Sequence, residues 1–201
     1  MKKRVLIVAL FGLALCYGCS KNDTATQESI KKNDWFHDGL KGKVKSTQDS
    51  YYGAFGSSQA AERGEFSTQT TTSYDTNGYR VTNDNSIQNH YNAAGLKDTI
   101  INLDDNGAMA SKFINTYNNN DYVIQTMMYD HSGNPLYTWL YEYDSTDNVN
   151  EEALYNATGT KISHTRYLYD FDTNGNWIRK VIISVEEDEP LQIIERKIIY
   201  F

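Results

Sequence analysis

Cysteine is scarce in this sequence, and the positions of the two cysteines exclude one class of fold. Both of them, Cys16 and Cys19, lie within the first 20 of 201 residues. A chain that loses this segment on export has no disulfide and no cysteine-based metal or redox site. Its stability must then come from strand pairing and from a hydrophobic core.

Basic clusters and catalytic motifs are also missing. The formal net charge is −7, and no Lys/Arg cluster follows the first four residues, whereas nucleic-acid-binding proteins carry a basic stripe. The sequence has no H-E-x-x-H motif, no phosphate-binding loop, no G-x-G-x-x-G and no G-x-S-x-G. We therefore predict no nucleic acid as partner, no cofactor, no metal and no catalytic residue, although a triad assembled only in space leaves no such trace.

Tyrosine is abundant. Aromatic residues make up 13% of the chain, which has 16 tyrosines and only two prolines. Because tyrosine favours half-buried pleated surfaces, this composition favours β-structure. Charged residues at 22% and hydrophobic residues at 39% are typical of a globular protein, and the length suffices for one domain with a core.

The N-terminal residues form a targeting pattern. Basic residues at positions 2–4 precede the apolar run Val5–Leu15, which is too short for a membrane-spanning helix of about 20 residues. Gly18 and Cys19 follow, and the whole resembles a bacterial lipoprotein signal, in which the cysteine becomes the lipidated first residue. We predict a lipid anchor on Cys19 and attachment to the outer membrane. Cys16 is the second candidate, and an ordinary cleaved secretory signal is the alternative.

These features divide the chain into three segments. Residues 1–18 are a lipoprotein signal peptide, residues 19–38 are a polar tether, and residues 39–201 are a single β-repeat domain. The tether contains a short helix from about Ser29, and Trp35 and Phe36 mark the point where it meets the domain.

A turn signature recurs along the domain. A tyrosine, or once a leucine, precedes each polar cluster, at Tyr91, Leu103, Tyr117, Tyr129, Tyr143, Tyr155 and Tyr169. The spacings alternate between 12 and 14 residues, so that the pair repeats every 26 residues across six intervals. Such regularity indicates an internal repeat.

The repeat predicts a β-meander. Asp or Asn after the tyrosine starts a turn, Gly supplies a positive φ, and about eight residues between turns form a strand. Turns this short join antiparallel neighbours, and units 26 residues apart should present the same face. We predict an all-β fold, an antiparallel meander of about ten strands that forms a curved, twisted sheet or a partly closed barrel.

The stretch YDFDTNGNW, residues 169–177, has two interpretations. Acidic and amide residues at alternating positions followed by Gly175 begin like a calcium-binding loop, but position 12 of that loop is Val181 rather than an acid. We therefore interpret the stretch as an enlarged hairpin corner. Asp172 and Asn174 would cap the backbone, and Gly175 would take the positive φ.

The Y-D-x-x-G signature resembles the YD or RHS-type repeats of bacterial surface and secreted proteins. The residues that carry it are 74–81, 129–134 and 169–177, and the resemblance covers roughly residues 40–201. It implies long strands that wind into a sheet or shell. The repeats here are too few to close a large shell, and their length alternates, so the resemblance implies architecture and little about activity.

Histidines and acids give weak signals for chemistry. The four histidines are not at metal-ligand spacing and are interpreted as structural or surface residues: His37, His90, His131 and His164. The run Glu186–Glu189 is interpreted as a solvated hairpin tip. Three acids on or beside strands could supply the carboxylate pair of a glycosidase: Glu142, Glu151 and Glu152.

Aromatic side chains are the better candidates for a binding site. If neighbouring strands are in register, five of them form one band: Tyr137, Trp139, Tyr141, Tyr167 and Trp177. Such a band could stack on sugars or bind a protein, or it could simply be the core. We predict a non-catalytic binding or scaffold module of the cell envelope with a glycan or an envelope protein as partner. The alternatives are an envelope hydrolase acting on glycans and a purely structural surface protein.

Overall fold

The computed structural model describes residues 32–82 and 85–201, which form an all-β domain with one short helix, α1. Eleven antiparallel strands belong to a single sheet, as the repeat predicts. In chain order the elements are α1 Asp34–His37, β1 Val44–Ser57, β2 Ala60–Ser73, β3 Ile87–Tyr91, β4 Lys97–Leu103, β5 Met109–Tyr117, β6 Val123–Asp130, β7 Pro135–Tyr143, β8 Val149–Asn156, β9 Lys161–Phe171, β10 Trp177–Ser184 and β11 Pro190–Tyr200. The predicted signal peptide and Cys19 lie outside the described residues.

The strand order departs from a simple meander at one place. From β3 to β11 each strand pairs with the next, but β1 then pairs with β11 on one side and with β2 on the other. The prediction that every strand pairs with its successor is therefore wrong for β2 and β3. These two strands form the opposite edges of the sheet, which is not closed into a barrel.

The sequence repeat corresponds to a five-residue turn that occurs eight times in the described residues. A side-chain oxygen of its first residue accepts hydrogen bonds from the amides of the third and fifth residues, as Asp130 does from Ser132 and Asn134 at 2.8 Å each. The first residues of the eight turns are Asp75, Asn92, Asp104, Asn118, Asp130, Asp144, Asn156 and Asp172. The fourth residue has a positive φ in every case, and it is glycine except at Asp121 and Asp147.

The last of these turns corrects the interpretation of residues 169–177. Asp172 caps the backbone and Gly175 has φ 80°, as predicted, but the turn has the same five residues as its siblings. The two additional residues instead lengthen β9, which continues to Phe171. The hypothesis of an enlarged corner is wrong because Asp172, and not Asp170, is the capping residue, and Asn174 donates its amide to that cap.

Successive turns alternate between the two ends of the sheet, and α1 lies at one of them. The amide of Trp35 donates to Gly78, and the amide of Lys32 donates to Gly95, two turn residues of that end. At a third turn, the side chain of Asn176 accepts from the amide of Lys41 at 2.7 Å and donates to its carbonyl at 2.8 Å. We call this end the α1 end.

The most deeply buried apolar cluster lies on the convex face of the sheet. Val181, Ile183 and Ile193 are at most 3% exposed, and Ala54 and Ala61 of the β1–β2 hairpin pack against them. Most other apolar side chains are half-buried or exposed. Within residues 32–82 and 85–201 no helix has the length and apolar character needed to cross a membrane.

Candidate functional site

The concave face of the sheet and α1 enclose a cleft of about 1160 Å³ near the α1 end. Its wall between β7 and β10 combines aromatic rings with charged groups, Tyr141, Tyr143, Glu152, Tyr167, Tyr169, Trp177 and Lys180. Asp34, His37 and Asp38 close it from the side of α1. We refer to this space as the cleft.

The 26-residue period places the tyrosines of the cleft wall. Three of them repeat the same contact, in which the hydroxyl donates to a carbonyl at the start of the neighbouring strand: Tyr117 to Lys97 at 2.6 Å, Tyr143 to Val123 at 2.9 Å and Tyr169 to Val149 at 2.7 Å. This confirms the prediction that units 26 residues apart present the same face. We call these three residues the tyrosine ladder.

Burial keeps the phenols of the cleft wall protonated. It raises the pKa of Tyr143 to about 12 and raises the pKa values of Tyr167 and Tyr169 above their ordinary value as well. The carboxylate of Glu152 raises the pKa of Tyr167 further. The hydroxyls are therefore neutral at physiological pH and can donate hydrogen bonds.

A cationic cluster lies at the β10–β11 side of the cleft. Arg196 donates two hydrogen bonds to Asp49, at 2.7 and 2.6 Å, and its guanidinium lies 3.5 Å from the ring centroid of Trp177. The ammonium of Lys180 lies 5.0 Å from the same ring and 5.3 Å from the ring of Tyr167. Burial and then the neighbouring Arg196 lower the pKa of Lys180.

The acidic groups of α1 hold it against both edges of the sheet. Asp34 pairs with Lys97 and accepts from the amide of Arg80, while Asp38 pairs with the guanidinium of Arg80. Desolvation opposes the ionisation of Asp34, but its bonds to Arg80 and Lys97 prevail and lower its pKa. His37 lies between these contacts, and its Nε2 atom is buried without a hydrogen-bond partner in the described residues.

The five aromatic residues predicted as one band occupy two regions of the concave face. Tyr141, Tyr167 and Trp177 line the cleft. Tyr137 and Trp139 lie on the same face of β7 but farther from α1, and Trp139 contacts Tyr137 and Phe113 at centroid distances of 6.0 and 6.4 Å. Tyr137 is 39% exposed.

The strand acids lie on opposite faces. Glu142 and Glu151 are cross-strand neighbours on the convex face, where Glu151 contacts His164 at 2.9 Å, whereas Glu152 faces the cleft. These three residues therefore do not form the facing carboxylate pair that a glycosidase needs. In the part of the chain that the structure describes, no group of three or more His, Cys, Asp or Glu residues has the geometry of a metal site.

Sequence reasoning missed Lys180, Arg196 and the contribution of α1 to the cleft. Lys180 did leave a signal, since it is a lysine beside the apolar run VIISV, at a strand position of the same face as Ile182. The pair of Asp49 and Arg196 left none, because 147 residues separate them.

Comparisons with known proteins yield two weak structural similarities. No protein-family model matches the chain, and no curated protein shows significant sequence similarity. A porin-like protein from Bacteroides uniformis ATCC 8492 is 10% identical with a TM-score of 0.42, over 80% of this chain and 99% of that one. A chain of the Photorhabdus luminescens Tc holotoxin pore is 16% identical with a TM-score of 0.29, over 64% of this chain but only 9% of that one. Similarities at this level assign no function.

Proposed function

We propose that the protein is a non-catalytic binding module of the cell envelope and that it holds a glycan in the cleft. The observation that carries this proposal is the composition of the cleft wall, where tyrosine and tryptophan rings alternate with hydroxyl, amide and charged groups. Sugars offer apolar ring faces together with hydroxyls that donate and accept hydrogen bonds. Aromatic rings pack against such faces, and neutral phenols and carboxylates bond to the hydroxyls.

The volume and shape of the cleft are consistent with such a ligand. A space of about 1160 Å³ is at the upper end of the range of small-molecule sites and accommodates several sugar rings. Glu142 and Glu151 face away from it on the convex side, so the alternative of a glycan hydrolase with a carboxylate pair receives no support from these residues.

Binding of the purified full-length protein to a broad glycan panel tests this proposal. Tyr141→Ala removes a ring from the cleft wall and should weaken binding at least tenfold, because the sugar then has one aromatic surface fewer to pack against. Leu140→Ala, on the same strand but 40% exposed on the convex face, is the matched control and should bind like the parent. Absence of binding across the panel, or equal effects of the two variants, contradicts the proposal.

The envelope location rests on the N-terminal sequence pattern and is tested separately. Metabolic labelling with a palmitate analogue should mark the parent protein and the Cys16→Ser variant, whereas Cys19→Ser should remain unlabelled and leave the membrane fraction. Labelling that persists in Cys19→Ser and disappears in Cys16→Ser assigns the anchor to the other cysteine. Absence of labelling in all three proteins excludes a lipid anchor.

A further inference from the structure

The two cations at the β10–β11 side of the cleft differ in their partners. Arg196 is neutralised by Asp49 through two hydrogen bonds, and the side chains of this pair are only 13% and 12% exposed. Lys180 forms no ion pair with any described residue, although it lines the same cleft. One positive charge of this cluster is therefore left without a counter-charge.

The surroundings of Lys180 amplify this charge. Its ammonium lies near the rings of Trp177 and Tyr167, at 5.0 and 5.3 Å, in a place where water is largely displaced by aromatic surface. The lowered pKa of Lys180 reflects the same burial. Lysines in such positions are normally paired, because an unpaired charge away from water is costly and its attraction to an opposite charge is strong.

A second charge gives the site a direction. Glu152 is the cross-strand neighbour of Tyr141 and Thr165, and it lies beside the hydroxyl of Tyr167. Tyr167 therefore stands between a cation on β10 and a carboxylate on β8. A ligand across this ring meets an anion-binding group at one side and a hydrogen-bond acceptor at the other.

We propose that Lys180 binds the carboxylate of an acidic sugar whose ring lies against Tyr167 and whose hydroxyls bond to Glu152. This inference rests on the proposed glycan-binding function and specifies the class of glycan. An acidic sugar places its single negative charge on a carboxylate attached to the ring, so that one residue of the glycan satisfies both contacts. Charge-assisted hydrogen bonds of this kind are stronger than neutral ones.

A pair of probes that differ only in charge tests the assignment. Isothermal titration of the full-length protein compares a galacturonate trisaccharide with its fully methyl-esterified form. The acid should bind at least tenfold more tightly than the ester. In Lys180→Met this preference should disappear, while Lys180→Arg should retain part of it because the positive charge is kept.

Controls separate a local effect from a general one. Lys112→Met removes a lysine that lies 4.9 Å from the ring of Tyr129 and does not line the cleft, and it should leave the preference unchanged. Thermal unfolding checks that each variant is folded, and Lys180→Gln replaces Lys180→Met if the latter is not.

The outcomes distinguish the two proposals. Equal affinity of acid and ester, or a preference that survives Lys180→Met, overturns the role of Lys180 but leaves glycan binding intact. If neither trisaccharide binds and the wider glycan panel is also silent, both proposals fail. If only uncharged glycans of the panel bind, the acidic-sugar assignment alone is wrong.

Discussion

At the residue scale, the fourth position of the turn shows how one conformational requirement is met in two ways. Six of the eight described turns have glycine there, whereas Asp121 and Asp147 adopt φ 66°. Aspartate tolerates this conformation better than most residues, but glycine has no steric cost. Asp121 also contacts Lys32 of the segment before α1, at 2.5 Å, which gives this side chain a role that glycine could not have.

Two glycines with nearly equal φ separate conformational cost from steric cost. A Cβ at Gly133 would meet nothing within 4 Å, so Gly133→Ala should lower the free energy of unfolding by about 1 kcal/mol. A Cβ at Gly78 would lie 2.5 Å from the ring of Trp35, so Gly78→Ala should cost at least about 2 kcal/mol because α1 must move. Urea unfolding of both variants measures the difference, and equal losses would show that α1 does not press on this turn.

His37 should make stability depend on pH. Burial, followed by the nearby Lys97, lowers its pKa to about 4, whereas the unfolded chain has the ordinary value of 6.5. The unfolded state thus binds more protons between these values, and the contribution of His37 to stability is complete above pH 6.5 and is lost as the pH falls towards 4. The loss should be on the order of 2 kcal/mol.

Urea unfolding at about pH 7 and about pH 5, on either side of the ordinary histidine pKa, measures this effect. His37→Gln should flatten the dependence on pH, because the titrating group is gone. His131→Gln, at an exposed turn position, is the control and should leave the dependence as in the parent. An unchanged dependence in His37→Gln would place its origin elsewhere.

At the scale of the element, the alternation of 12 and 14 residues corresponds to the two ends of the strands. Tyrosines before the turns of the α1 end point into the concave face and form the tyrosine ladder. Tyr129, before a turn of the opposite end, lies on the convex face, where Lys112 approaches its ring. The same turn signature therefore serves two different surroundings.

The tyrosine ladder should stabilise the pairing of strands at the α1 end. Tyr143→Phe removes the hydrogen bond to the carbonyl of Val123 and should cost about 1 kcal/mol, since one partly buried acceptor is deprived of its donor. Tyr129→Phe removes a weak interaction of the hydroxyl with the sulfur of Met127, at 3.7 Å, so the cost should be under about 0.5 kcal/mol. Equal costs in chemical denaturation contradict a specific role of the ladder.

At the scale of the whole molecule, α1 connects the two edges of an open sheet. Arg80 follows β2, and Lys97 begins β4 next to the opposite edge strand β3, yet both bind carboxylates of the α1 segment, which is only four residues long with Asp38 as its C-cap. The short connection between β2 and β3 spans the same gap. A helix this short has no stability of its own, so its position depends on these contacts.

Removal of the α1 carboxylates should loosen both edges together. Asp34→Asn combined with Asp38→Asn keeps the side-chain shapes but leaves Lys97 and Arg80 without their partners, at a cost of about 2 to 4 kcal/mol for such partly buried pairs. Hydrogen exchange should increase in β2 and β3 and not in β7. Glu195→Gln breaks the exposed pair with Arg63 and should cost under about 1 kcal/mol. Faster exchange confined to one edge would contradict a bridging role.

The sequence by itself determined the strands, their turns and the faces of their side chains. These features are local: each turn closes through hydrogen bonds from one residue to residues two and four positions later, and side chains along a strand alternate with period two. For this reason the tyrosines of the cleft wall could be assigned to one face from their spacing.

Only the tertiary structure decided how the two ends of the domain meet. Strand β1 pairs with β11, which brings Asp49 to Arg196 and leaves Lys180 beside them without an ion-pair partner among the described residues, and α1 folds back over the cleft. Pairing between strands more than 100 residues apart depends on which sheet edges are free and on the curvature of the sheet. No local pattern encodes these quantities, and for that reason the charges of the cleft could not be predicted from the sequence.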